Sequence, residues 1–167
     1  MKEPAWVKVV GIMGIIMGCF GLLGAWSIIM TPKMIEMQKE MMPQIQEMME
    51  AQPGSTEATM AVLEKMWNAP EWFGTWCFIS GTMSFLIAGY YILACVNLLR
   101  VKKSAINMFY TATGISLVFT VIKVFVSTVA ISYMGMPAMI GVAIGIGIHI
   151  VLLVTVANGN KEMFLEA

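Results

Sequence analysis

The sequence predicts an all-α integral membrane protein: four transmembrane helices in an up-down bundle, with an extramembrane amphipathic helical hairpin between the first and the second. Three observations predict it. The 167-residue chain is 59% hydrophobic and only 12% charged, with a mean hydropathy of +0.80, a balance that a water-exposed globule could not hold in solution. Four apolar runs near or above about twenty residues are each long enough to cross ~30 Å of hydrocarbon. Aspartate is absent, and all ten acids are glutamates lying outside those runs. The chain therefore reads as one membrane domain, residues 1–167, with spans at about 7–30, 73–99, 105–133 and 138–157 and an outer hairpin at about 31–71.

The first run carries Gly11, Gly14, Gly18, Gly21 and Ala25 at alternating intervals of three and four. On a helix these residues form one side-chain-poor seam in which another helix can lie, and their mean period of about 3.5 predicts a left-handed crossing. Lys2 and Lys8 ahead of the run are also how a secretory signal begins, and Ile16, Met17, Gly18 and Cys19 approximate a lipoprotein processing site. The apolar stretch continues well past Cys19 to Met30, as a spanning helix does and a signal core does not. Trp6 and Trp26 stand near its two ends as aromatic anchors.

The segment 31–71 is the one sizeable polar stretch. Met34, Met41 and Met48 fall in one heptad column and Ile35, Met42 and Met49 beside it, while Glu36, Glu40, Glu47, Glu50 and Lys39 collect opposite. That pattern is an amphipathic helix, bent near Pro43 and broken at Pro53-Gly54. Ser55 can cap a second, shorter helix with Met60, Leu63, Met66 and Trp67 on its apolar side. Three lysines against seven glutamates leave the hairpin at minus four, a poor match for anionic lipid. Its apolar face is expected to pack on its own bundle or on a neighbouring subunit.

Trp67, Trp72, Phe73 and Trp76 mark re-entry into the bilayer. The second span ends on Arg100, Lys102 and Lys103 and carries the small residues Gly81, Ser84, Ala88 and Cys95. The third and fourth are joined by a short turn in which Gly135 bends the chain and Pro137 opens the last helix. Gly141 and Gly145, with Ala138, give that helix a small-residue side. The basic residues alternate with the acidic hairpin, so both termini are expected in the cytoplasm and the hairpin on the periplasmic or extracellular side.

Three features could carry chemistry. Lys123 and His149 are the only acid or base residues inside a span, and Lys123 lies on a polar stripe with Ser116, Thr120 and Ser127. Lys123 is ten residues below Tyr133 and His149 eleven below Ala138, so both sit about 15 Å from the same end at 1.5 Å per residue. Cys19 and Ser84 count into the same layer. A charge in hydrocarbon costs several kcal/mol and ordinarily faces a cavity or a partner. No span carboxylate exists to pair with Lys123, which points to a water-filled cavity, an anionic ligand such as a lipid headgroup, or a lysine held neutral. The plain alternative is that Lys123 snorkels along its own helix and His149 bonds a nearby backbone carbonyl.

The second feature is the methionine set Met34, Met37, Met41, Met42, Met48 and Met49, whose spacing places thioethers on one side of a helix, and soft thioethers select Cu(I). Methionine is abundant throughout, 18 residues in all, and works equally as an adaptable apolar filler. The third is the seam itself, with Gly141 and Gly145 as a further packing face. No phosphate-binding glycine loop, carboxylate pair or Cys-His-Asp set is present, so no enzymatic activity and no cofactor is expected. Net charge is zero and the largest basic cluster is Arg100, Lys102 and Lys103, which excludes a nucleic-acid partner. Cys19, Cys77 and Cys95 lie in or beside the spans and make no disulfide framework.

Four spans with a long first outer loop and a short second one resemble the layout of claudin-like tetraspan proteins, in architecture alone. That family's first loop carries a Trp-Gly-Leu-Trp element with two cysteines, whereas Trp72, Phe73, Gly74, Thr75, Trp76 and Cys77 lie here at the membrane edge with one. The chain is expected to act as a structural, self-assembling or accessory subunit, its partners being the bilayer and copies of itself or other membrane subunits. The rival expectations are a small transporter, channel or lipid-binding protein using the Lys123 and His149 layer, and a copper-binding hairpin.

Overall fold

A computed structural model describes residues 4–41, 70–131, 136–162 and 164. These form four helices: α1 (Ala5–Glu40), α2 (Trp72–Leu99), α3 (Ala105–Ile131) and α4 (Met136–Asn158). Each contains a segment long and apolar enough to cross a membrane, in α3 and α4 the stretches Ala105–Val129 and Ile140–Asn158. Large apolar side chains point outward from all four, Phe20, Leu23, Phe125 and Val151 each more than 60% exposed. Such surfaces suit hydrocarbon, and the architecture is that of a multi-pass membrane protein. Most of the expected hairpin, 42–69, lies outside the described residues.

Pro4 supplies the N-cap of α1, where its lack of an N–H leaves no helical bond unmade. The helix does not stop near Met30. It runs on through Pro32 to Glu40, so the first ten residues assigned to the hairpin continue the first helix. Pro32 removes one backbone donor, and the Thr31 hydroxyl donates to the Ser27 carbonyl at 3.0 Å one turn back. The extension is held from outside: Ile35 is buried with Phe73 and Cys77 at the start of α2, and Ile28 and Trp76 pack around them. Tertiary packing here overrides the local preference of proline to end a helix.

The principal contact of the fold is α1 against α2. A Cβ added at Gly11 would meet Leu99, at Gly14 Cys95, at Gly18 Ile92 and at Gly21 Ala88, while Gly81 of α2 faces Ile29 and Ala25. Rising numbers on one helix meet falling numbers on the other, so the two run antiparallel. The glycines let the backbones approach, and the seam of the first helix is filled within the chain. No atom lies within 4 Å of a Cβ built at Gly141, Gly145 or Gly147, so among the described residues no neighbouring helix is seated on these three glycines.

α2 ends in a Schellman arrangement: Val101 N–H donates to Leu98 O at 3.0 Å and Lys102 N–H to Asn97 O at 3.1 Å. The left-handed position that glycine ordinarily fills is Val101, φ 51°. This conformation costs a residue with a Cβ about 1–2 kcal/mol, and Val101 is held in it by packing against the main core.

That core lies at one end of the molecule. Val7, Val10, Ala94, Cys95, Leu98, Phe109, Ala112 and Val156 are buried together with Phe164 beyond α4. Trp6 stacks at 6.0 Å on the Phe164 ring and lies against Gly159. α4 draws sparser contact from α1 and α3 than α2 does, and none of its described side chains from 140 to 151 is buried, whereas Leu152 and Val156 are. Among the described residues, the helices are closed at the Trp6 end and parted toward the Phe73 end.

Candidate functional site

Where the helices part, two cavities lie between them. The first, about 190 Å³, is lined by Ser84 and Tyr91 of α2, Ser116, Thr120 and Lys123 of α3 and His149 of α4, with Met17, Gly18 and Gly21 of α1 closing one side. The second, about 240 Å³, lies toward the Phe73 end between Ile28, Phe73, Trp76, Cys77, Val124 and Val142. Thr120 and Lys123 belong to both walls. The two chambers meet at Lys123.

Lys123 reaches across the bundle. Its Nζ donates to Ser84 Oγ at 3.1 Å, joining α3 to α2, and sits 5.4 Å from the centroid of the Phe119 ring, one turn earlier. The half-buried ammonium thus has a hydroxyl and an aromatic face for partners, and no aspartate or glutamate lies in the apolar run of any helix. Neither partner carries a negative charge, so a protonated Lys123 would be a positive centre in a largely apolar surround without a counter-charge among these partners. Such a centre attracts anions with little screening.

His149 is arranged differently. Its Nδ1 is 2.8 Å from the Gly145 carbonyl on its own helix. A carbonyl oxygen only accepts, so Nδ1 carries the proton and, in the neutral ring, Nε2 is the acceptor. The ring packs at 5.3 Å against Tyr91. The buried Tyr91 hydroxyl lies by Thr113, whose own proton goes to the Phe109 carbonyl at 2.8 Å, and it makes no hydrogen bond of ordinary geometry.

Ser84, Ser116, Thr120, Lys123 and His149 therefore line a single cavity. Cys19, counted into the same layer, is exposed: it stands beside Gly18, which faces α2, and one residue is about 100° of helix rotation. Met17, Gly18 and Gly21 take its place on the cavity wall. Tyr91 was not anticipated. A tyrosine within an apolar run, seven residues after Ser84 and hence on its face, is the signal that could have found it. Among the methionines, Met34, Met37 and Met41 are exposed on the last turns of α1, and Met42, Met48 and Met49 lie outside the described residues. Among the described residues no three His, Cys, Asp or Glu side chains are grouped to hold a metal.

No family model, curated protein or solved structure matches this chain.

Proposed function

We propose that the chain is a non-enzymatic, multi-pass membrane protein that binds a small anionic group at mid-depth, with Lys123 as its fixed cation, and serves as a carrier or ligand-binding subunit. The observation that carries this reading is the Lys123–Ser84 bond between two chambers, in a bundle with no carboxylate in the apolar run of any helix. A lysine that served only structure would be expected to snorkel to an interface. Here it is turned inward, toward hydroxyls and a histidine from three helices. The first chamber falls below the ~300–1,000 Å³ of drug-sized ligand pockets, which fits a carboxylate or inorganic anion.

The proposal includes an up-down order of the four helices, both termini on the cytoplasmic side with Arg100, Lys102, Lys103 and Lys161, and the acidic segment outside. The test is a calorimetric titration of purified protein in phosphatidylcholine nanodiscs with acetate and with inorganic phosphate. Binding that weakens at least about tenfold in Lys123→Met is expected, corresponding to the loss of one charge-assisted bond. Equal heats from the two proteins would overturn the reading.

A second reading is favoured by one observation: the face of α4 bearing Gly141 and Gly145 is open among the described residues. A second copy of the chain, or another membrane subunit, fits such a face closely. The native mass of protein extracted in mild detergent tests it, and a monomer at every concentration would exclude self-assembly.

A further inference from the structure

The two chambers differ in chemistry, and they meet at one cation. The first carries Ser84, Ser116, Thr120, Tyr91 and His149 around Lys123. The second sets Ile28, Phe73, Trp76, Cys77, Val124 and Val142 beside Lys123 and the four hydroxyls of Thr31, Ser80, Thr120 and Ser127. Two of its hydroxyls are turned away from a ligand: Thr31 donates to the Ser27 carbonyl at 3.0 Å and Ser80 to the Cys77 carbonyl at 3.4 Å. A lysine with the more polar pocket on one side and the more apolar, aromatic pocket on the other is a template for a molecule with the same division.

We infer that the ligand of this site is an amphipathic anion, its acidic head at Lys123 and Ser84 and its apolar body in the second chamber. The inference rests on the anion-binding reading above and adds the substrate class. Among the described residues the main core lies on the Trp6 side of Lys123 and the second chamber on the other, so the second chamber is the side with room for the body of the ligand. An inorganic ion would leave that chamber unfilled, and a neutral apolar molecule would leave the ammonium without a counter-charge. A free monocarboxylic acid and an anionic lipid share the required chemistry, one acidic head on an apolar tail.

The experiment is a titration of the full chain in phosphatidylcholine nanodiscs with acetate, butyrate, hexanoate and octanoate at fixed pH. Affinity is expected to rise about threefold to fourfold per methylene, as apolar burial implies, and to level off once the chamber is full. Val142→Trp, which fills the second chamber, should leave acetate binding in place and abolish the rise. Ser127→Leu, a smaller intrusion into the same chamber, should lower the octanoate to acetate ratio if the tryptophan variant does not fold. Octanoate and acetate binding equally would overturn the inference and leave the anion site standing, whereas binding of neither would overturn both. An undiminished chain-length rise in Lys123→Met would also overturn it, since tails would then be partitioning without the site. Nanodiscs containing phosphatidylglycerol distinguish the sources: lipid retained by the wild type, lost in Lys123→Met and displacing octanoate supports a bilayer-derived ligand, and octanoate affinity unchanged by that lipid supports a free acid.

Discussion

The two ends of the bundle are built from similarly apolar helices and behave differently. At the Trp6 end, Val10 of α1, Leu98 of α2, Phe109 of α3 and Val156 of α4 are all fully buried, so each helix contributes to one core. At the Phe73 end the buried apolar set among the described residues shrinks to Ile35, Phe73 and Cys77, and no described side chain of α4 from 140 to 151 is buried. Hydrophobicity does not distinguish the ends, because lipid is as apolar as leucine and gives helices no reason to associate. What distinguishes them is side-chain volume filled on one side and left open on the other. In a bilayer, packing is the selective force, and a polar site survives where packing stops.

The comparison can be broken most severely at the closed end. Phe109→Ala removes a ring that is fully buried against Tyr91 at 5.8 Å, and it is expected to cost about 3–5 kcal/mol, measured by reversible unfolding in mixed micelles. Gly14→Leu drives a side chain into Cys95 and is expected to cost about 3 kcal/mol, read by the same unfolding assay and by loss of proximity between labels on α1 and α2. A cost below about 0.5 kcal/mol at either position would show that the closed end does not hold the bundle together.

At the open end the effects are smaller and more local. Ser84→Ala leaves the Lys123 ammonium without its one hydroxyl partner and should cost about 1.5 kcal/mol, accompanied by weaker acetate binding. The smallest effect is expected for Gly145→Leu, where a Cβ meets nothing: unfolding should change by less than about 0.5 kcal/mol, while any oligomer built on α4 dissociates, as seen by native mass. An intact oligomer with that variant would move the assembly contact elsewhere.

Much of this organisation is legible in the residues, for reasons that differ from place to place. Apolar runs of the right length read directly as spans, since length against bilayer thickness is a one-dimensional argument. Residue counts along α3 and α4 set Lys123 and His149 at one depth, and both line the first cavity. Depth is axial and survives uncertainty about which helices are neighbours. Rotation does not: Cys19 shares the depth and faces away, because its azimuth depends on which face of α1 takes the glycine seam. The partner of that seam, α2, was equally undetermined, as α2 and α4 both carry small residues. The first helix runs past the end of its apolar run at Met30, since the packing of Ile35 on Phe73 that holds the extension is a contact between residues far apart in the chain. The second chamber had no signature in the sequence, since an unfilled space is a property of how whole helices diverge.

The Trp6–Phe164 stack at the closed end has a consequence for how the protein is made. Chains fold as they emerge from the ribosome, and α1 can find α2 early, since their glycine-lined contact needs nothing downstream. Trp6 must wait until Gly159 and Phe164 have been synthesised, after three further helices have entered the bilayer. The end that locks the bundle is therefore completed last, and an arrested nascent chain lacking those residues would hold the Lys123 site inside an assembly not yet shut beneath it.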